Sequence, residues 1–380
     1  MEYKKINELT TVVTGGTPST RKNEYWDNGD IPWLQSGCCQ NCDVDSTEKY
    51  ITKEGYNNSS THMMPADTVM IALTGATAGK VGYLKFEACG NQSITGILPC
   101  ESLNQRYLFF YLLSQREKIL ADCVGGAQAH ISQSYVKNMT IPILAIKEQE
   151  QIVGELTKVS NIVSLRQEEI QQLDNLVKAR FVEMFGDCTN MISLSDLCLI
   201  ITDGTHQSPK FQHEGIPFIL VSNLSKNTVT YDTDKFISAE TYKELYKRTP
   251  IEIGDILLST VGSYGHPAVV VEDRKFLFQR HIAYLKPKSD ILNSYYMHGA
   301  LLSPGCQRQI EEKVKGIAQK TLNLSEIRKI RIPVPSLDLQ KQYADFVHQV
   351  NKSKFDTMTF APIYAIINLY LHTYFYQGRR

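Results

Sequence analysis

Gln279, Arg280 and His281 stand together between two apolar runs, and Arg280 carries the most specific recognition chemistry in the chain. A guanidinium presents a two-pronged donor fork that matches the O6 and N7 acceptors of guanine. A second polar loop holds Thr205, His206, Gln207, Ser208 and Lys210. Its amide and hydroxyl groups can bond base edges, and its lysine can bond phosphate. Asn91, Gln92 and Ser93 form a third polar cluster. Lys80 closes the run Gly75-Ala-Thr-Ala-Gly-Lys80, and Tyr264 sits in Gly262-Ser-Tyr-Gly265. Glycine-rich turns let a backbone approach a ligand closely. Thr17 follows Gly15-Gly16, Ser36 and Asn223 follow Ile-Pro-aromatic runs, and Gln128, His130, Gln319 and Lys320 lie in loops that contain glycine. All suit hydrogen bonding to a polar, anionic polymer. A solvated turn accounts for any single one of them equally well.

Bond-making chemistry is not evident. Gly75–Lys80 falls short of a nucleotide phosphate loop, which needs one more residue between its glycines and a Ser or Thr after the lysine; here Val81 follows. An adenine methyltransferase motif requires Pro-Pro, and the chain has none. The Gly-x-Ser-x-Gly and His-Glu-x-x-His patterns are also missing. We therefore expect no catalytic residues. Cys38, Cys39 and Cys42 cluster, but no second close pair follows to complete a structural zinc set, so no metal is expected. The nine cysteines are odd in number and scattered, and the first residues lack an apolar export core. Reduced thiols in the cytoplasm are the expectation.

The elements that would position these loops occur twice. Ile141-Pro142-Ile143 returns as Ile332-Pro333-Val334, and Gln149 and Gln151 return as Gln340 and Gln342, all at an offset of 191. Gln128 and Gln319 keep the same offset. Upstream, Gly16-Thr17 aligns with Gly204-Thr205 and Asp67 with Asp255 at 188, and Ile31-Pro32-Trp33 with Ile216-Pro217-Phe218 at 185. Solenoid units run to only about 50 residues, so this is a duplicated domain. Two similar surfaces suit a target made of two half-sites, as duplex DNA often is.

Within each copy, short apolar runs such as Thr68–Leu73 and Ile256–Val261 read as buried strands between turns. Residues 106–121 read as a helix. Residues 148–185 differ: Ile152, Leu156, Val159, Val163, Ile170, Leu173, Val177 and Met184 recur in steps of four and three, with Arg166 and Arg180 in the remaining seam positions. That is a heptad pattern, and it predicts a long helix that seeks a partner helix. The expected order is a first domain at 1–147, a spacer helix at 148–187, a second domain at 188–337 and the start of a distal helix at 338–356. Residues 357–380 depart from the repeat. They contain Pro362 and an aromatic, β-branched run, which leaves the distal helix in doubt, and the run is too short and polar for a membrane anchor.

With 42% hydrophobic and 21% charged residues, the composition is that of a globular protein. The net charge of zero argues against a uniformly basic surface and so counts mildly against DNA binding, unless charge is segregated by face or basic partner chains supply part of the phosphate contact.

The layout resembles the specificity subunit of type I restriction-modification systems. The resemblance covers roughly residues 1–356 and rests on the order of pieces in duplicate. In the second half these are Asp203-Gly-Thr-His-Gln-Ser-Pro209, Gly215-Ile-Pro-Phe-Ile219, Gly254-Asp-Ile-Leu-Leu-Ser-Thr-Val-Gly262 and Gln279-Arg-His-Ile-Ala283. In the first they are Gly15-Gly-Thr-Pro-Ser19, Asp30-Ile-Pro-Trp33, Leu73-Thr-Gly-Ala-Thr-Ala-Gly79 and Asn91-Gln-Ser-Ile94. The resemblance implies an α/β (α+β) fold: two tandem target-recognition domains separated by long coiled-coil-forming spacer helices. It implies a non-catalytic subunit that reads a bipartite sequence in double-stranded DNA and sets the spacer between its halves. It also implies docking of modification subunits, two in number, and of restriction subunits. S-adenosylmethionine, ATP and Mg2+ are then expected on those partners and not on this chain. The alternatives are a protein–protein adaptor built on the duplicated domain, or an inactive or phase-switched specificity subunit with an altered C-terminus.

Overall fold

The structure, a computed structural model, describes residues 2–122, 130–316, 320–358 and 363–376. It divides into two compact units, one of residues 1–166 with 360–380, the other of residues 167–359.

The first unit is built on a five-stranded sheet in the order Val12–Thr14, Ile94–Ile97, Val69–Ala72, Val81–Leu84, Cys42–Val44. The pairs are antiparallel except the last. Beside it lies a three-stranded sheet, with Ile31–Leu34 antiparallel to Tyr50–Ile51 and parallel to Cys89–Gly90. Glu2–Lys5 pairs with the exit strand Thr140–Ile143. Val69–Ala72 is buried at every position, which is why it reads as a continuous apolar run and not as an alternation. The helix expected over 106–121 is two helices, Gln105–Ser114 and Arg116–Ala121.

The second unit repeats this plan with one strand fewer. Its main sheet runs Cys198–Asp203, Ile282–Pro287, Ile256–Ser259, Pro267–Val269, without a counterpart of Cys42–Val44. In its small sheet Ile216–Ile219 is antiparallel to Phe236–Ile237 and parallel to Leu277–Phe278. Met191–Ser193 pairs with Arg331–Pro333.

The duplication extends to single buried hydrogen bonds. Gln149 is fully buried; its Nε2 donates to Leu144 O at 2.9 Å and Ser102 O at 3.3 Å, and its Oε1 accepts from Asn104 N at 2.8 Å. Gln340 does the same with Pro335 O at 2.9 Å, Ile291 O at 3.1 Å and Asn293 N at 2.9 Å. Asn104 and Asn293 each cap the helix that follows. Tyr107 and Tyr296, in the first turn of those helices, donate to Pro142 O and Pro333 O of the exit strands. A buried amide must satisfy its donors and acceptor inside the fold, which explains why glutamine recurs at this helix start.

The central helix spans Ile146–Phe185, 40 residues or about 60 Å. Ile152 and Leu156 are fully buried in the core of the first unit, and Val163 is buried too. Val159, Ile170, Leu173, Val177 and Met184 are half-buried. Near the C-terminal end the burial moves off the expected seam to Phe181 and Phe185, which pack with Tyr296 and Tyr343 in the core of the second unit. A straight helix packing on a domain core follows a 3.6-residue period, so the 177, 181, 185 spacing replaces the heptad there. The distal helix Leu337–Met358 runs antiparallel to this stretch, with Tyr343 near Val177 and Phe181, and Lys354 paired with Asp174.

The chain end is helical over Ile363–Tyr376. Ile367 and Leu371 are buried in the first unit's core, together with Ile152, Leu156 and Leu108. Tyr370 bonds Glu155 on the central helix. This terminal helix therefore serves the first core as Val177–Phe185 serves the second. Its apolar, aromatic composition is that of a core element, which is why its sequence does not look like a surface heptad. Pro362 lies outside the described residues. No helix among the described residues is long and apolar enough to cross a membrane.

His298 is expected to make the second unit sensitive to acid. Its Nε2 lies 3.1 Å from Asn227 O and 3.2 Å from Pro267 O, so this nitrogen carries the proton. Burial holds the imidazole below its usual range, against the pull of those carbonyls, with Lys354 acting in the same direction as burial. The folded histidine is thus neutral where the unfolded one, with a pKa of about 6.5, takes up a proton. Its contribution is present above about pH 6.5 and is lost as pH falls. We expect His298→Gln to flatten the pH dependence of urea unfolding of this unit between about pH 7 and 5. An unchanged slope would remove His298 as its source.

Candidate nucleic-acid interface

In each unit the same segments converge at one end of the main sheet. In the first, Gly16 N donates to Gly90 O at 2.8 Å, Leu73 N to Ser93 O at 2.8 Å, and Ile131 N to Leu73 O at 3.0 Å. These bonds bring together the loops that hold Thr17, Asn91–Ser93, Thr74–Lys80 and His130. In the second, Thr205 N donates to Phe278 O at 3.0 Å, Arg280 N to Thr205 O at 3.1 Å, Thr260 N to His281 O at 2.9 Å and Gly262 N to Lys320 O at 3.1 Å. Asn91 N also donates to Leu34 O and Gln279 N to Ile219 O, which places the turns starting at Ser36 and Val221 beside the clusters.

The two glycines at the junctions have no room for a side chain. A Cβ on Gly15 would lie 2.1 Å from Gly90 O, and one on Gly204 would lie 2.2 Å from Phe278 O. The structural register is accordingly Gly15 with Gly204 and Gly16 with Thr205, an offset of 189. The sequence alignment of Gly16-Thr17 with Gly204-Thr205 is one residue out, because the doubled glycine hides which of the two faces the Gly90 carbonyl; Gly16 is confined as well, against Ser60 and Thr61.

The side chains at these ends divide evenly between exposed and half-buried, Asn223 excepted. Thr17 and Gln92 are exposed and bond each other at 2.5 Å. Ser93 accepts from Thr74 at 2.9 Å, and Asn91 Oδ1 accepts from Ser93 N at 3.1 Å. Lys80, half-buried, donates to Gln40 Oε1 at 2.6 Å. Ser36 is half-buried and His130 exposed. In the second unit His206, Gln207, Lys210, Arg280 and Lys320 are exposed, while Thr205, Gln279, His281 and Tyr264 are half-buried. Lys320 approaches the Tyr264 ring, 5.9 Å from its centroid. Arg280 Nε donates to His281 Nε2 at 3.2 Å, and burial, then Arg280, keep that imidazole below its usual pKa.

Asn223 stands apart from this set. It is buried; its Oδ1 accepts from Leu220 N at 2.9 Å, and its Nδ2 donates to Thr230 Oγ1 at 3.2 Å and Asp232 O at 2.9 Å. Its amide braces the loop and has no donor left for a base. Gln128 and Gln319 lie outside the described residues.

Two participants escaped the sequence reading. Asp203 Oδ2 lies 2.9 Å from His206 Nε2, and its Oδ1 lies 2.6 Å from Arg248. The pair with His206 was readable from the spacing of three. Arg248, 45 residues away in sequence, gave no local signal. Among the described residues no three His, Cys, Asp or Glu side chains come together as a metal-ligand set.

Comparison with known proteins gives this arrangement a family. The model of the type I restriction modification DNA specificity domain matches residues 1–175 and again 189–362. The chain belongs to this family. Its two specificity domains are the two halves of the repeat. It is 33% identical over 169 residues to the EcoR124I/EcoR124II specificity subunit of Escherichia coli, a stretch covering 43% of this chain and 42% of that subunit. It is 23% identical over 375 residues to the MjaIX specificity subunit of Methanocaldococcus jannaschii, covering 91% of this chain and 85% of that one. The chain thus spans under half of the first relative's length and most of the second's. The fold is also that of the S subunit of a type I restriction-modification system from M. genitalium, with a TM-score of 0.50 at 15% identity over 98% of this chain and 94% of that one.

Proposed function

We propose that this chain is the DNA-recognition subunit of a type I restriction-modification complex, in which each specificity domain reads one half of a bipartite duplex sequence. The observation that supports this best is the twofold recurrence of one loop cluster, built from the same segments and presenting amide, hydroxyl and basic side chains outward. Such groups bond base edges and phosphates. The chain acts by position and carries out no bond-making step. S-adenosylmethionine, ATP and Mg2+ belong, in this reading, to the modification and restriction subunits it docks, with two modification subunits matching the twofold repeat.

Methylome sequencing of cells that carry this chain with its modification subunit tests the reading. A split methylated motif that disappears when the chain is deleted is the expected result; an unchanged methylome on deletion would overturn it. Arg280→Ala is expected to relax one half of that motif, at a cost of about 1–3 kcal/mol for the missing bidentate bond to a base. Equal loss in both halves would point instead to misfolding. The central helix acts as a ruler. A seven-residue insertion near Glu168 lengthens it by about 10 Å and should change the gap between the half-sites while leaving their bases unaltered.

A further inference from the structure

We infer that the two specificity domains bind unequally and that the second is the phosphate anchor of this chain, an inference that rests on the DNA reading above. Residues 1–145 carry 12 Lys and Arg against 14 Asp and Glu, whereas residues 188–335 carry 18 against 15. A chain of zero net charge is thus one slightly acidic half and one basic half.

The imbalance is greatest at the loop clusters. Lys210, Arg280 and Lys320 are all exposed. No carboxylate among the described residues pairs with any of them. Asp203, the acid that opens the loop, is already neutralised by Arg248 at 2.6 Å. In the first unit Gln92 occupies the position of Arg280 at the offset of 188, Lys80 is tethered to Gln40, and Lys22 pairs with Glu24 at 3.5 Å. Arg21, exposed like Lys22, has no carboxylate partner among the described residues.

Phosphate contacts supply affinity regardless of sequence and draw the protein to DNA, whereas neutral polar groups discriminate without long-range attraction. The second domain therefore seats the complex on the duplex as well as reading its own half-site, and the first reads its half through Thr17, Gln92 and Ser93 once the complex is seated.

Salt titration separates the two domains. The full chain, assembled with its modification subunits, is bound to a mixed-sequence duplex at salt concentrations from about 50 to 200 mM. Lys210→Gln with Lys320→Gln should flatten the slope of log affinity against log salt by about 1.8, roughly 0.9 for each phosphate that is no longer neutralised. Arg21→Gln with Lys80→Gln should flatten it by less than half as much. Equal effects from the two pairs, or a larger one from the first domain's pair, overturn the asymmetry and leave DNA recognition standing. A wild-type assembly whose affinity ignores salt overturns the DNA reading itself.

Discussion

Replacing Ile367 and Leu371 by alanine is expected to unfold the first specificity domain and erase its half-site while the second remains intact. Both side chains are buried in the first unit's core, although they lie more than 200 residues from the strands that build it. Each large-to-small change in a closed core costs about 2–5 kcal/mol. Two together rival the whole stability of an ordinary domain, about 5–15 kcal/mol. Hydrogen exchange on the two units is the direct measurement. Protection should collapse in Val69–Ala72 and Ile94–Ile97 and persist in Ile256–Ser259 and Ile282–Pro287. Equal loss in both sheets, or none in either, would contradict the assignment of the terminal helix to the first core. A matching change at Phe181 should spare the first sheet and damage the second, because Phe181 packs with Tyr296 and Tyr343.

Gly204→Ala is expected to abolish recognition of the second half-site, and Gly15→Ala that of the first. The added Cβ on Gly204 would lie 2.2 Å from Phe278 O and 2.5 Å from Gln279 O. These are backbone atoms, so the loop must move. The movement strikes the hydrogen bonds that hold Thr205 against Phe278 and Arg280 against Thr205. Overpacking of this kind costs about 1–3 kcal/mol of stability, less than the domain holds, so the protein should stay folded and lose the geometry of one cluster. Methylome sequencing reads the result. Each substitution should degrade a different half of the motif. If both degraded the same half, the correspondence of Gly15 with Gly204 would be wrong.

The two substitutions bear on what is legible along the chain itself. The duplication was legible because glutamine, proline and glycine recur at offsets that drift only from 185 to 191, and each does a job few residues can do. Gln149 and Gln340 bridge a strand exit to a helix cap from a buried position. The loop segments were legible as polar interruptions between apolar runs, and backbone hydrogen bonds bring them together in both units. The register at Gly15 was not legible, since two adjacent glycines look alike until a neighbour's carbonyl is in place. Asn223 shows the same limit: an asparagine in a turn is equally suited to meeting a base or bracing its own loop, and only its burial among Leu220, Thr230 and Asp232 decides.

The sequence alone determined the twofold plan, the buried strands at Val69–Ala72 and Ile256–Ser259 and the long central helix, because these rest on local periodicity and on repetition along the chain, and the order of its motifs carried the resemblance to the family. Tertiary structure decided the rest. It moved the helix seam to Phe181 and Phe185, joined Arg248 to Asp203, and made the aromatic chain end a wall of the first core. The physical reason is common to all three. Each depends on which distant surface a side chain meets, and apolar burial is non-directional, so an apolar stripe announces that it will be covered without saying by what.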